Sequence, residues 1–168
     1  MPLSMSQASV SIFSQQLTAL SAILDKAIAH CQAKGLNPKD LIDARLAPDM
    51  FPFARQIQIA TDQAKGAAAR LSGREIPKFE DTEQTLEELK ARIARTLAFI
   101  GSVPAGEIDG SEERDVTIPV AGQPRTLKGQ LYLLRSSLPN FFFHVTTAYD
   151  ILRHRGVEIG KRDYLGAY

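Results

Sequence analysis

Residues 131–154 constrain the fold more than any other part of the chain, because they form its longest apolar pattern with helical spacing. One row of residues recurs at alternating steps of three and four, which places its members along one side of a helix. The members of this row are Leu131, Leu134, Leu138, Phe141, Val145, Ala148 and Leu152. The pattern predicts a long helix with this row as its buried seam.

A second row runs beside the first at the same spacing and is half polar. Its members are Leu133, Ser137, Asn140, His144, Thr147 and Ile151. Because polar groups need partners, we expect this row to meet water, a ligand or other polar groups. Pro139 lies inside the helix and removes one backbone hydrogen bond, so we expect a kink where the polar part of the row begins.

Two other long amphipathic helices are predicted earlier in the chain. The first covers residues 6–34 and is followed by Gly35, which enters the left-handed conformation of a helix stop without steric cost. The second begins at Phe53, and Gly73 is expected to end it in the same way as Gly35 ends the first. The first helix carries Cys31 on its apolar seam, so we interpret this cysteine as a core residue.

A further helix is predicted between these and residues 131–154. Asp81 and Gln84 have the spacing of a capping box, which predicts that the helix begins there. Its apolar stripe leaves Glu88, Arg92 and Thr96 on the other side, and we therefore expect these three side chains to face solvent.

Residues 103–129 interrupt the helical pattern and indicate a small β-hairpin. Val116, Ile118 and Val120 occupy every second position of the first strand. A turn follows at Ala121, and residues 125–128 form the second strand, which runs back along the first. Four amphipathic helices can bury their stripes only against one another. The sequence therefore predicts one all-α domain over residues 1–168, a four-helix bundle with the hairpin inserted between helices three and four.

The composition excludes several classes of partner. Lys and Arg number 20 against 19 Asp and Glu, so the net charge of +1 gives no reason to expect nucleic acid binding. The single cysteine excludes an internal disulfide and favours a cytoplasmic protein. No apolar run approaches the ~20 residues that span a bilayer, so we expect neither an export signal nor a membrane anchor.

His144 is the candidate centre of a site. It could be a buried histidine paired with a neighbouring group, or it could bind a ligand or a metal. His154 is about 80° and about 15 Å away on an ideal helix, so one ion cannot bind both. Asn140 shares the face of His144, and a third metal ligand would have to be Asp49 or Asp62. A metal-free pocket would be lined by a larger set, namely Tyr132, Ser137, Asn140, His144 and Thr147, with Asp49 and Arg55 from across the bundle.

Residues 141–143 are three consecutive phenylalanines, and on a helix they point in three directions. One ring must therefore face away from the core. An apolar patch shared with a second copy of the chain would cover it, so we expect a homodimer.

Three segments resemble an uncharacterised family of about this length within the DinB-like, or YfiT-like, four-helix bundles. They read SAILDKAIAHCQAKG, ARLAPDMFPFARQIQIATDQAKGAAARL and LPNFFFHVTTAYDILRHRGVEIGKRDYLG, and APDMFP and NFFFHVTTAYDILRH are the most specific parts. The resemblance implies an up-down-down-up bundle and a tendency to dimerise.

The same resemblance bears on chemistry. Several DinB-like proteins are metal-dependent hydrolases, thiol-dependent transferases or isomerases, and hold a divalent ion with one histidine on helix two and an H-x-x-x-H pair on helix four. Here only Asn140 and His144 match the pair, and helix two has no histidine. The prediction is a small-ligand site at His144 and Asn140 without a complete metal triad. The alternative is a metal-dependent hydrolase or thiol-dependent transferase with zinc, nickel, iron or manganese at His144.

Overall fold

The computed structural model describes residues 3–167, so residues 1, 2 and 168 of the predicted domain lie outside the described part. Within it the chain is mainly helical and has one two-stranded antiparallel sheet, which confirms the predicted class. The helices are α1 (Ile12–Lys34), α2 (Pro38–Ile42), α3 (Phe53–Ser72), α4 (Leu86–Gly101), α5 (Ala105–Ile108), α6 (Gly129–Tyr132), α7 (Leu138–His154) and α8 (Lys161–Leu165). Two π-helical segments, Gln7–Ser11 and Leu133–Ser137, precede α1 and α7, and the strands are β1 (Asp115–Val120) and β2 (Gln123–Lys128).

Helix α3 is the central element of the packing. It contacts α4 on one side and α7 on the other, while α1 contacts α4, α7 and α8. The apolar faces of these helices meet in one cluster that includes Phe13, Phe53, Leu89 and Phe141. Between residues 3 and 167, no helix has both the length and the apolar character needed to cross a membrane.

The glycine stops are confirmed at both predicted helix ends. Gly35 has a φ of 62° and Gly73 a φ of 75°, and each follows directly on the last residue of its helix. Cys31 is buried in the core, as predicted, and its burial raises the pKa of the thiol, with smaller contributions from Asp40 and Glu87.

The predicted start of α4 was wrong. Its capping box is formed by Thr85 and Glu88: the Thr85 hydroxyl accepts from the Glu88 N–H at 3.1 Å, and the Glu88 carboxylate accepts from the Thr85 N–H at 3.1 Å. Asp81 does not cap a helix, because its carboxylate forms ion pairs with Arg55 and Arg92. The helix therefore begins at Leu86, after a longer connection than the sequence suggested.

The hairpin lies in the chain between α5 and α6. Its turn residues Ala121 and Gly122 have φ values of 49° and 77°, both in the left-handed region that a tight two-residue turn requires. Val116 and Ile118 are buried on one face of β1, so the strand pair packs on the helical part of the chain.

The seam predicted for residues 131–154 is wrong in its first third. Leu131 and Leu134 are 39% and 52% exposed, while Leu133 and Ser137 of the second row are fully buried. The cause is the π-helical segment, where the N–H of Leu138 bonds to the carbonyl of Leu133, five residues back. Because a π turn holds more residues than an α turn, it shifts the buried row by about one position.

The prediction for the outer face of α4 was also wrong. Arg92 and Thr96 are both fully buried, and only Glu88 of the three is exposed. An arginine can be buried at this position because carboxylates from two other parts of the chain, Asp62 and Glu83, reach its guanidinium.

Candidate functional site

His144 is held by a short chain of hydrogen bonds between α7 and α3. The Gln56 amide nitrogen donates to the Phe51 carbonyl at 2.9 Å, which directs the amide oxygen of Gln56 toward His144. That oxygen lies 2.6 Å from Nδ1 of His144. Because an amide oxygen only accepts, Nδ1 must carry the proton. The neutral imidazole therefore has its lone pair on Nε2.

The surroundings keep His144 uncharged. Its side chain is 8% exposed, and burial, followed by the nearby positive charge of Arg55, lowers its pKa from 6.5 to about 4. At neutral pH the ring is therefore unprotonated at Nε2. No side chain or carbonyl within residues 3–167 donates to or accepts from this nitrogen. The site thus offers a fixed hydrogen-bond acceptor that the protein itself does not use.

Two residues linked to the His144 site, Phe143 and Phe51, have exposed aromatic rings. Phe143 packs edge-on against the His144 ring with 5.2 Å between centroids, and it is 56% exposed. Phe51 supplies the carbonyl that orients Gln56 and is also 56% exposed. Arg55 lies over the Phe51 ring at 5.9 Å. One exposed ring therefore contacts the histidine directly, and the other belongs to the residue that orients its partner Gln56.

Several predicted site residues lie near His144 but have other partners. Asn140 is exposed, one turn before His144. The Thr147 hydroxyl donates to the Phe143 carbonyl at 2.7 Å and is therefore committed to its own helix. Arg55 forms an ion pair with Asp81 and influences the site through its charge.

None of the remaining predicted residues forms a hydrogen bond with the His144 ring within residues 3–167. Tyr132 is buried, and its hydroxyl accepts from Nη1 of Arg70 at 3.2 Å. Twelve helical residues separate Tyr132 from His144, which corresponds to roughly 18 Å along the axis. Ser137 is fully buried and its hydroxyl has no partner among the described residues, while Asp49 is exposed.

Sequence reasoning missed Gln56, although a signal for it existed. Gln56 lies beside Ile57 and three residues after Phe53, at the edge of the apolar stripe of α3. A polar residue at that position is expected to meet a polar partner on a facing helix, and the half-polar row containing His144 is such a partner.

A resident metal does not fit the donor set. Across residues 3–167, His, Cys, Asp and Glu side chains form no group of three or more that could hold an ion. Asp62, a ligand considered from the sequence, accepts from Lys65 at 2.6 Å and from Arg92 at 2.9 Å. His144 would therefore have at most one other such side chain beside it, and the divalent metals considered above remain a prediction.

A second polar cluster lies on the other side of α3 and differs from the first. The guanidinium of Arg92 has five N–H donors, and five acceptors lie within 3.1 Å of its nitrogens. These acceptors are the Thr61 hydroxyl, the Glu80 carbonyl and the carboxylates of Glu83, Asp62 and Asp81. Four of the five accept hydrogen bonds from the guanidinium and Asp81 forms an ion pair with it, so we interpret this cluster as structural.

Comparisons with known proteins complete the description. A family model described as a domain of unknown function, DUF1993, matches residues 5–165. The chain is also similar to a crystal structure of a DinB family member protein from Shewanella denitrificans, with 42% sequence identity and a TM-score of 0.90. That similarity covers 96% of this chain and 91% of the other. No curated protein matches the chain.

Proposed function

Because the chain belongs to the DUF1993 family, to which no activity is assigned, we propose its function from the site itself: it binds a small organic molecule at His144 without a complete set of metal ligands. The observation that carries the proposal is the 2.6 Å contact between Nδ1 of His144 and the Gln56 amide oxygen. This bond fixes the tautomer and leaves Nε2 as a free acceptor.

The proposed scaffold is a DinB-like four-helix bundle in which the hairpin is part of the crossover to the last long helix. Its support is the packing of α3 between α4 and α7, together with the 42% identity to the DinB family member. In this arrangement α3 and α7 contribute Gln56 and His144 from facing surfaces.

The pKa of His144 favours binding over proton transfer. General bases work best when their pKa lies near the operating pH, and a pKa of about 4 makes this imidazole a weak base. As a hydrogen-bond acceptor it needs no proton transfer. The expected ligand therefore offers an O–H or N–H donor to Nε2 and an apolar body to the exposed rings of Phe51 and Phe143. The positive charge of Arg55 disfavours a cationic ligand.

A matched pair of probes tests this proposal. Phenol has a donor on an aromatic body, whereas anisole has nearly the same body without the donor. We expect phenol to bind at least about fivefold more tightly, because one hydrogen bond contributes ~1 kcal/mol. The measurement is a titration followed by the ¹⁵N resonance of His144 Nε2. The variant His144→Leu lacks this resonance, so its binding is followed by isothermal titration, and it should bind both probes equally weakly.

Two outcomes would contradict the proposal. Equal affinities of phenol and anisole for the wild-type chain would show that Nε2 is not used. Saturable phenol binding that leaves the Nε2 resonance unchanged would place the ligand elsewhere. His154→Leu, which removes an exposed histidine from the end of α7, is the matched control and should bind phenol as the wild type does.

The second candidate is the metal-dependent hydrolase or thiol-dependent transferase of the DinB-like type. One observation favours it, namely that a neutral histidine with a free Nε2 is available to an ion. Elemental analysis of tag-free protein purified without chelator, beside His144→Ala, tests it. About one zinc, nickel, iron or manganese per chain, lost in the variant, would support this candidate. Equal metal content in the two proteins would contradict it.

A further inference from the structure

A groove separate from His144 lies between α3 and the connection that leads to α4. It has a volume of about 540 Å³. Lys65, Gly66 and Arg70 of α3 form one wall, and the connection contributes Lys78 and Phe79 to the other. The groove therefore combines cationic side chains with apolar surface.

Arg70 is held in position within this groove by two neighbours. A Cβ atom added to Gly66 would lie 2.5 Å from Nη1 of Arg70, so the guanidinium rests directly on the bare backbone of that glycine. On another side Nη1 donates to the Tyr132 hydroxyl at 3.2 Å, and the Tyr132 ring lies 5.8 Å from the guanidinium carbon. Arg70 is thus half-buried and oriented before any ligand arrives.

The charge of Arg70 is not neutralised by the protein. Arg70 forms no salt bridge with any residue between positions 3 and 167, and most of its N–H donors have no acceptor there. Its neighbour Lys65 differs, because Asp62 accepts from Lys65 at 2.6 Å and is shared with Arg92 at 2.9 Å. Lys78, on the opposite wall, is exposed and also has no salt bridge within the described part of the chain.

The carboxylates that line the groove offset only part of the positive charge. Asp62 is already engaged by two cations, and Glu80 is an exposed residue of the connection. Three cationic and two acidic residues line the groove, which leaves it with a formal charge of +1. An oriented arginine with free donors is the group that best matches the two oxygens of a carboxylate or phosphate.

We propose that this groove binds a small organic oxyanion, a carboxylate or a phosphate monoester. Arg70 forms a two-pronged contact with the anion, and Lys78 adds charge from the opposite wall. The body of the ligand lies against Ile76, Pro77 and Phe79, which supply the apolar part of the lining. Tyr132 is not part of the lining, and its buried hydroxyl accepts from Arg70 and so holds the guanidinium in place.

Isothermal titration with benzoate and inorganic phosphate tests the proposal, and neutral benzamide is the control for the benzoate body. We expect saturable binding of benzoate, of phosphate or of both, with no saturation by benzamide. Arg70→Gln should weaken the binding by at least about tenfold, because it removes a charge-assisted bidentate contact. Arg153→Gln removes an exposed arginine elsewhere on the surface and should change the affinity by less than about twofold.

The variant Gly66→Ala tests whether the position of the Arg70 guanidinium matters, because it keeps Arg70 but displaces the end of its side chain. The new Cβ conflicts only with the far end of the Arg70 side chain, so the fold is retained and the melting temperature should stay equal or rise, because alanine is the better helix former. Binding of the anion should nevertheless weaken, since the guanidinium must move. His144→Leu should leave this binding unchanged, which distinguishes the groove from the site proposed above.

The proposal is overturned if neither benzoate nor phosphate saturates the wild-type protein. It is also overturned if Arg70→Gln binds either anion as tightly as the wild type. Unchanged anion binding in Gly66→Ala would contradict the required pose of the guanidinium. Saturation by one anion alone supports the proposal and assigns the ligand to the carboxylates or to the phosphates.

Discussion

The two polar clusters on opposite sides of α3 differ in how many of their buried hydrogen-bonding groups have a partner in the protein. Between α3 and α4, the buried guanidinium of Arg92 donates hydrogen bonds to four groups of the protein and forms an ion pair with a fifth, Asp81. Between α3 and α7, the buried imidazole of His144 has a partner for one nitrogen and none, among the described residues, for the other. Arg55 lies between them: it is paired with Asp81 of the Arg92 cluster, and it lowers the pKa of His144 in the other cluster.

This difference separates a structural cluster from a candidate site. A buried polar group whose capacity is filled has nothing to offer a ligand, and its removal leaves other charges without partners. A buried polar group with unused capacity must meet water or a ligand. The comparison therefore predicts that changes near Arg92 affect mainly stability, and that changes near His144 affect both stability and binding.

The largest effect is expected at Arg92. Arg92→Ala should lower the free energy of unfolding by about 3–5 kcal/mol, because it leaves Glu83 without a buried counter-charge and Asp62 with Lys65 alone. Denaturant unfolding followed by circular dichroism measures the loss. Arg95→Ala is the matched control, since Arg95 is 56% exposed and 3.7 Å from Glu83, and it should cost no more than about 1 kcal/mol. Equal losses in both variants would contradict the structural interpretation.

The next effect is a pH dependence that originates at His144. Its pKa is about 4 in the folded chain and 6.5 ordinarily, so the unfolded chain binds the proton more readily. The contribution of His144 to stability is therefore present above pH 6.5 and is lost as the pH falls toward 4. Its full size is about 3 kcal/mol.

Unfolding free energies measured across that pH range check this expectation. His144→Gln should remove this component of the pH dependence and leave the components of the other titrating groups. His154→Gln, which changes an exposed histidine, should retain the full wild-type profile. An unchanged profile in His144→Gln would show that the pKa of His144 is the same in the folded and the unfolded chain.

A smaller effect is expected at two glutamines of α3, each of which forms hydrogen bonds in one of the clusters. Gln56→Leu leaves both the Nδ1 proton of His144 and the Phe51 carbonyl without their partner, and should cost about 1–3 kcal/mol. Gln58→Leu removes one of several donors to Glu83 and should cost about 1 kcal/mol. Only Gln56→Leu should alter the tautomer of His144 in ¹⁵N spectra. A tautomer change in both variants would mean that the clusters are not independent.

The smallest effect on stability is expected at Phe143, where the proposed ligand and a second copy of the chain compete as explanations. Phe143→Asp changes an exposed ring and should alter the free energy of unfolding by about 0.5 kcal/mol or less. Light scattering then distinguishes the two. Under the predicted homodimer the variant has half the wild-type mass. If the ring serves only a ligand, the mass is unchanged and phenol binding weakens.

Features set by local sequence were predicted well. Gly35 and Gly73 end their helices because the left-handed conformation is a property of the residue itself. The hairpin was predicted from strand alternation and one turn, and the burial of Cys31 from its place on an apolar stripe. Each of these inferences uses residues that are close together in the chain.

Features that depend on distant partners were missed. Arg92 is buried because acceptors from α3 and from the connection after it converge on its guanidinium, and helical periodicity contains no information about them. Gln56 was missed for the same reason. His144 was identified from its row, but its tautomer and lowered pKa depend on Gln56 and Arg55, which are far away in the sequence.

The π-helical segment Leu133–Ser137 allows the chain to differ in length by one residue without a change of fold. It holds about one residue more than an α-helix would need over the same rotation and rise, so deleting one residue there should restore regular α-helix and leave the elements on either side in place. Tyr132 would then keep its contact with Arg70, and the hairpin would keep its place on the core. Relatives with an uninterrupted helix should therefore be one residue shorter between Tyr132 and Phe141, and should retain the tyrosine–arginine pair.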